Sequence, residues 1–452
     1  MKIAIIGTGY VGLVSGVCLA AKGHQITCVD LRMQIVEQLN QGKPHIHEAG
    51  LESLLEKVIK SNNFKASSDI RRALDQNDVL IIAVGTPSEN GEIDLGQIYS
   101  VAKTIGEYIK HTDRYLSVVV KSTVIPGTTD TFVKNTIEEF SGKQVGAFGL
   151  GMNPEFLREG DAIEDFMFPD RIVMGSEDDI TKSRLKEIYE PWDTDKIFVN
   201  TRTAEMIKYA NNTILAGLIS LNNELANLAG ILGNIDYNDV VHGVSLDKRW
   251  SPILDGGKRI VPKITTYLIP GAGFGGSCFP KDVQAIRTQG VHHGLKMNLT
   301  NAILDVNENQ AVNAINILKK KVGTFKDKKM LMLGLAFKPG TDDIRESSAV
   351  KMLKILSGDV SCQIYAHDPI ANLNNEVAVG SFSNVNFITN WKAELPSADI
   401  IIIGTNWAEY RDIKHMDHDG LLKNKIVFDT KRLFCKGELV NSDYCTIGYN
   451  PN

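Results

Sequence analysis

The stretch Lys2–Gly12, KIAIIGTGYVG, limits what this chain can fold into more than any other. A short β-rich run enters a GxGxxG sequence, and an apolar-periodic segment follows to Lys22. A second β-rich run, Gln25–Val29, ends in Asp30. Strand, glycine turn, helix, strand and terminal acid form the plan of a dinucleotide-binding βαβ unit. The glycines admit a tight turn and close passage of a pyrophosphate, and the acid receives the ribose hydroxyls of NAD. Gly7, Gly9, Tyr10, Val11, Gly12 and Asp30 are therefore expected to hold NAD. Arg32 would suit the 2′-phosphate of NADP, but Asp30 would repel that phosphate. Arg32 is read as a solvated loop charge.

The alternation of strands and helices continues. Val79–Val84 ends at Thr86, and Leu116–Val120 ends at Thr123. Open parallel sheets bind ligands beyond the carboxyl ends of their strands, so both threonines fall on the cofactor side. Ordinary turn chemistry is the competing reading. Glu155 and Glu159 would share one face of a helical turn, either as a proton-transfer pair or as a solvated acidic face. Thr203–Leu232 reads as one long helix with apolar residues at Met206, Ile207, Ala210, Ile214, Leu218, Leu221, Leu225 and Leu228. Gly230 and Gly233 are its stop signals. Its apolar surface is a candidate dimer contact. Lys208 and Asn212 lie one turn apart on it, either as a snorkelling cation with a neighbour or as donors aimed at developing oxygen charge.

Lys328–Gly334, Ala349–Leu356 and Gln363–Ala366, followed by Asp368, repeat the opening plan without GxGxxG. Asp399–Gly404 and Lys425–Phe428 are further buried-type strands. The expected fold is α/β, with two Rossmann-like doubly wound domains joined by a long central helix. The expected divisions are 1–200, 201–310 and 311–452. In the second Rossmann-like domain Lys338 and Arg345 either meet phosphates or lie in a solvated loop.

The stretch Gly271–Asp282, GAGFGGSCFPKD, holds Cys278 beside Lys281 and Asp282. On its own it reads equally as a loop presenting an activated thiol or as a turn with a structural cysteine. Upstream, Arg249 and Arg259 are candidate phosphate contacts or solvated loop charges. A length of 452 residues implies two or three domains. The net charge of −5 offers no basic face for nucleic acid. The longest apolar runs, such as Val79–Val84, fall far short of a membrane span, and the chain opens directly on a strand, so neither membrane nor signal peptide is expected. Six cysteines without a CxxC pair indicate neither a metal site nor a disulfide framework. A reducing compartment, most simply the cytoplasm, is expected.

Six motifs stand in order along the chain. They are GTGYVG at 7–12, KSTV at 121–124, NPEFL at 153–157, Lys208 with Asn212, GGSCFPKD at 275–282, and Phe337-Lys338 with Arg345. On these the chain resembles the nucleotide-sugar dehydrogenase family, the UDP-glucose/GDP-mannose dehydrogenases, from Lys2 to about Arg432. The resemblance implies oxidation of a nucleotide sugar's C6 alcohol to a carboxylate with two NAD and one water. UDP-glucose leads as substrate, ahead of GDP-mannose or a UDP-N-acetylhexosamine. It also implies a homodimer or a higher homo-oligomer. Catalytic work falls to Cys278 as nucleophile, to Lys208 and Asn212 at the oxyanion, to Thr123 and Asp282 as holders of a water, and to Glu155 in thioester hydrolysis. Thr86, Thr123, Glu159, Lys281 and Arg345 join the cofactor set. The substrate set is Glu155, Phe156, Leu157, Lys208, Asn212, Arg259, Tyr267, Leu268, Gly271, Gly275, Phe337 and Lys338.

Two features depart from the family pattern. Ile35 stands where the family commonly has Lys or Arg, with Arg32 as the stand-in. Trp250–Lys263 looks partly inserted, which leaves Arg249 and Arg259 both open as the substrate arginine. Two further readings compete. A two-electron β-hydroxyacid dehydrogenase would share the Rossmann domain and the long helix but has no use for Cys278. A catalytically inactive nucleotide-binding protein would keep the folds without turnover.

Overall fold

Within single strands, neighbouring residues feed different cores. Ile3 and Ile5 pack on one side of a sheet and Ala4 and Ile6 on the other. Val79 and Ile81 divide from Leu80 and Ile82 in the same way. This is the pattern of a parallel sheet covered on both faces. Each large aliphatic side chain so removed from water contributes about 1.5–3 kcal/mol. The computed structural model describes residues 1–89, 91–371 and 383–450, in two compact units, 1–211 and 212–452.

The sheet of the first unit has eight strands: β1 (Lys2–Ile6), β2 (Gln25–Val29), β3 (Phe64–Ser67), β4 (Val79–Ile82), β5 (Ser117–Val120), β6 (Gly149–Met152), β7 (Arg171–Ser176) and β8 (Asp195–Val199). Their order is β8-β7-β6-β5-β4-β1-β2-β3. The first six form the 3-2-1-4-5-6 order of a dinucleotide-binding fold. The pairing of β6 with β7 is antiparallel, so the last two strands run against the rest. Helix α1 (Tyr10–Ala21) crosses between β1 and β2. The carboxyl ends of β1, β2, β4 and β5 carry Gly7, Asp30, the Thr86 segment and the Thr123 segment.

The second unit repeats the order. β9 (Lys329–Leu333), β10 (Gln363–His367), β11 (Val385–Phe387), β12 (Ile400–Ile403), β13 (Ile426–Asp429) and β14 (Asp443–Thr446) lie as β11-β10-β9-β12-β13-β14, all parallel. Met330 and Met332 face one core and Leu331 and Leu333 the other. The last strand, β14, lies in the tail after Lys436.

The boundary between the units falls within α2 (Thr201–Leu232). It begins two residues before the expected start because Glu177 Oε1 accepts both the amide and the hydroxyl of Thr201, at 3.1 and 2.6 Å. It runs through Gly230, and Gly233 with φ +74° follows its end. Apart from Tyr209, the residues of α2 that are buried are small or polar, among them Ala216, Ser220, Asn222, Asn223, Ala226 and Ala229. Ile214, Leu221, Leu225, Leu228 and Ile231 are exposed. Three more helices matter below: α3 (Phe279–His292), α4 (Asn298–Val322) and α5 (Ser348–Ser357).

Candidate functional site

In the first unit the three glycines of the turn do three different jobs. Gly7 has φ +99°, and a Cβ there would lie 2.7 Å from the Ala83 carbonyl oxygen. A Cβ on Gly12 would lie 2.0 Å from the Gly7 carbonyl oxygen, so α1 can close on the turn only with glycine there. A Cβ on Gly9 would meet nothing within 4 Å. Tight turn, close helix packing and an open backbone are what a bound pyrophosphate requires of these positions, so the residues fit NAD.

Asp30 is buried at the end of β2. Thr8 donates its hydroxyl to Asp30 Oδ2. Arg32 forks onto the same carboxylate, Nε to Oδ1 and Nη2 to Oδ2, each at 3.0 Å. Burial would raise the Asp30 carboxyl, but the hydrogen bonds of Arg32 and Thr8 prevail and hold it far below the usual range. Arg32 is exposed, as expected of a loop charge, but it is not unpaired. It is the partner of Asp30 and balances its charge. Ile35 packs into the core beside α1.

The Tyr10 hydroxyl is engaged within the chain. It donates to Glu48 and accepts from the Gly160 amide at 2.9 Å. Glu48 also accepts the Gly160 and Ala162 amides, both at 2.8 Å. This buried acid ties the segment after Glu159 to α1. The sequence reading missed it, since a lone acid in a polar loop carries no signal.

Thr86 donates its hydroxyl to the Thr123 carbonyl at 3.0 Å, which brings the two expected cofactor-side threonines together. The Glu155–Glu159 expectation is corrected. Residues 153–158 are irregular, so the two acids share no helix face. Glu155 is buried against Lys208, Nζ to Oε1 at 2.7 Å, and its Oε2 accepts the Leu157 amide at 2.7 Å. Burial would raise the Glu155 carboxyl, but Lys208, the Leu157 amide and Lys121 prevail and lower it. Lys121 is itself buried and donates to Asn153 Oδ1 at 2.8 Å. Burial pushes its pKa down to about 8, with Glu155 opposing and Lys208 assisting. Phe156 lies beneath two cations, Arg171 at 4.0 Å and Lys208 at 5.5 Å from its ring centre. Leu157 packs on the core beside α1.

In the second unit Cys278 is half-buried at the N-cap position of α3, where unpaired backbone amides favour negative charge. Ser277 Oγ lies 3.5 Å from its sulfur. Asp282, buried in the first turn of α3, accepts from Lys281 Nζ and from Asn212 Nδ2, both at 2.7 Å. Its two oxygens are each engaged, and Lys281 points its ammonium at Asp282.

Three side-chain amides hold the glycine stretch by its backbone. The Gly271 amide donates to Asn223 Oδ1 at 2.8 Å, and the Gly271 carbonyl accepts from Gln310 Nε2 at 2.9 Å. Asn307 brackets Phe274, accepting its amide at 2.7 Å and donating to its carbonyl at 3.1 Å. None of the three was singled out from the sequence, because an amide on a helix looks like any solvated residue.

The glycine stretch also locks onto the loop after β9. The Gly276 amide donates to the Arg345 carbonyl at 2.9 Å. A Cβ on Gly275 would lie 2.3 Å from the Glu346 carbonyl oxygen, and one on Gly276 2.9 Å from the Phe337 ring. The close backbone approach that these glycines allow is made toward the chain's own Phe337–Glu346 loop. Arg345 forks onto Asp343, and its guanidinium is exposed. Phe337 and Lys338 are half-buried on this loop.

Upstream, Tyr267 and Leu268 end a short 3-10 helix, and Leu268 is core. Tyr267 stacks loosely on Phe279, with ring centres 6.4 Å apart. Of the two open arginines, Arg259 donates to the Leu246 and Ser251 carbonyls, both at 2.8 Å, and so closes the 246–259 segment. Arg249 forks onto Asp247 and is exposed.

Family models of the UDP-glucose/GDP-mannose dehydrogenase family match the chain in three parts. The NAD binding domain covers residues 1–193, the central domain 202–309 and the UDP binding domain 331–436. A UDP-glucose 6-dehydrogenase of Haloferax volcanii is 37% identical over 445 residues, covering 97% of this chain and 98% of the relative. A GDP-mannose 6-dehydrogenase of Pseudomonas putida is 35% identical over 420 residues, covering 91% and 92%. The solved UDP-glucose dehydrogenase of Pyrobaculum islandicum superposes with a TM-score of 0.88 at 36% identity, covering 99% of this chain and 98% of that one.

Proposed function

The chain belongs to the UDP-glucose/GDP-mannose dehydrogenase family of NAD-dependent oxidoreductases, and from that premise we propose that it oxidises C6 of UDP-glucose to the carboxylate of UDP-glucuronate, with two NAD and one water per sugar. The observation that carries the four-electron reading is Cys278, half-buried at the amino end of α3 after a stretch held at Gly271 and Phe274. A two-electron dehydrogenase has no use for that thiol.

NAD, when bound at the Gly7–Gly12 turn, accepts one hydride in each oxidation. Thr123 and Asp282 hold the water that takes the alcohol proton. Cys278 adds its sulfur to the aldehyde carbon, the carbonyl pair moves onto oxygen, and the tethered sugar cannot diffuse away between oxidations. After the second oxidation C6 is a thioester. Water attacks it with help from the Glu155 carboxylate, the C–S bond breaks and the thiolate returns. Lys208 and Asn212 stabilise the negative oxygen at each tetrahedral stage. Phe337, Lys338 and the 267–271 segment hold the nucleotide sugar.

A substrate panel tests this reading. Two NADH per UDP-glucose are expected, with UDP-glucose preferred over GDP-mannose and UDP-N-acetylhexosamines. One NADH per sugar would remove the covalent route. Preference for GDP-mannose would establish the second reading, which the 35% identity to a relative of that name supports.

The exposed leucines of α2 support a homodimer or a multiple of one. Leu225→Glu with Leu228→Glu is expected to lower the mass measured by light scattering to that of one chain. An unchanged mass would move the subunit contact elsewhere. Six cysteines, none of them in a disulfide among the described residues, support a reducing compartment, the cytoplasm.

A further inference from the structure

Glu205 takes no part in the chemistry above, yet it is 0% exposed, three residues before Lys208 on α2. Its carboxylate reaches the segment that follows β5. Oε2 accepts the Gly127 amide at 2.6 Å, and Oε1 accepts the Thr129 amide at 2.9 Å. These donors lie at the start of the helical stretch 128–141, where a helix leaves amides unpaired and favours an anion. Gly127, with φ +99°, completes the turn Ile125–Thr128, in which the Thr128 amide donates to the Ile125 carbonyl at 3.0 Å. That turn begins two residues after Thr123. A second tie runs beside the first, Arg202 Nε to Asp130 Oδ2 at 2.5 Å. The opening turns of α2 thus grip the segment carrying Thr123, and the next residues of the same helix present Lys208 to Glu155.

We propose that Glu205 is a positioning residue whose carboxylate clamps the 123–129 segment to α2 and so fixes Thr123 relative to Lys208. The proposal rests on the parts assigned to Thr123 and Lys208 under Proposed function. Glu205 accepts both amides at full strength only in the ionised form, because protonation turns one oxygen into a hydroxyl, which is a donor and a weaker acceptor.

The charge state of Glu205 responds near neutrality. Burial raises its carboxyl, the Thr129 and Gly127 hydrogen bonds lower it, and Asp130 raises it, with a net value of about 7. Arg202 on the same helix and Asp130 on the clamped stretch are the charged groups beside it. The two consequences for pH run in opposite directions. The folded carboxyl sits above its unfolded value, so its contribution to stability is present in full below that unfolded value and is lost as pH rises through about 7. The clamp, by contrast, tightens as pH rises through the same range. A residue that merely supported the fold would move stability and turnover together.

The test uses the full chain at pH 6 and pH 8. Exchange protection of the Gly127 and Thr129 amides, corrected for intrinsic rates, is expected to fall on the order of tenfold at pH 6, and kcat on the order of tenfold with it. KM for NAD stays level and the melting temperature does not follow kcat down. Glu205→Gln keeps the size but cannot ionise. It is expected to show low protection, a kcat reduced on the order of tenfold at pH 8, and no acid limb near pH 7. Protection that does not change with pH in the wild type, or a Glu205→Gln chain with the wild-type kcat and acid limb, overturns the proposal. Should the variant fail to fold, the wild-type exchange and pH profiles decide alone. Amides that respond as expected in a chain that oxidises no nucleotide sugar support the clamp and contradict the proposed substrate.

Discussion

Cys278→Ser is expected to lower NADH production from UDP-glucose by about a thousandfold or more while leaving NAD binding within about twofold. The substitution changes one atom and little volume, and the residue is half-buried at the start of α3, so the fold has no reason to move. What changes is nucleophilicity. Near neutral pH a thiol at a helix amino end supplies thiolate, and a serine hydroxyl there supplies almost no alkoxide. Gly271 and Phe274 remain held by Asn223, Gln310 and Asn307, so the loop still presents whatever atom stands at 278. NAD binding is read by fluorescence titration and turnover by absorbance. Full turnover by the serine variant would take the thiol out of the reaction altogether.

Lys208→Met carries the second large effect, on both activity and stability. Lys208 and Glu155 are buried together, their side chains 4% and 5% exposed. Removing the cation leaves a carboxylate in the interior with Lys121 as its remaining cationic neighbour. Breaking a buried pair from one side costs about 3–5 kcal/mol, and losing an oxyanion donor lowers kcat by about 10²–10³-fold. The pH dependence supplies a signature. In the wild type the Glu155 carboxyl is held low, so the pair's contribution is present above the unfolded carboxyl value and is lost as pH falls through the folded one. In the variant burial dominates and drives the carboxyl upward. Its melting temperature should therefore rise, relative to wild type, as pH is lowered and Glu155 takes a proton. Melting curves from pH 8 down to pH 5 check this. A variant whose deficit stays constant over that range would show that Lys208 does not carry the charge of Glu155.

How far the sequence could be read depended on the range of the physics involved. The Gly7–Gly12 turn and Asp30 are local devices set by backbone geometry within one βαβ unit, and they were legible. The second sheet was legible as a repeat of strands ending in Asp368, but what that acid does was not. Asp368 ends β10 as Asp30 ends β2. Its Oδ2 accepts the Leu335 and Ala336 amides and the Trp407 indole, and its Oδ1 accepts the Ile370 and Ala371 amides. One position in one topology thus pairs with Arg32 beside the glycine turn in the first unit and closes loops in the second, and only the folded surroundings distinguish them. Glu48, Glu205, Asn223, Asn307 and Gln310 escaped notice for a related reason. Each acts on backbone groups far away in sequence, and an isolated acid or amide has no periodicity to reveal it. The Glu155–Glu159 reading failed because spacing by four means a shared face only where a helix exists.

The contact between the glycine stretch and the Phe337–Glu346 loop bears on redesign. With Gly275 against the Glu346 carbonyl and Gly276 against the Phe337 ring, neither segment has slack to accept a new neighbour. An exchange of specificity that transplants residues 337–346 from a relative must carry residues 271–278 with it. The two stretches, some sixty positions apart in the chain, form a single transplantable module.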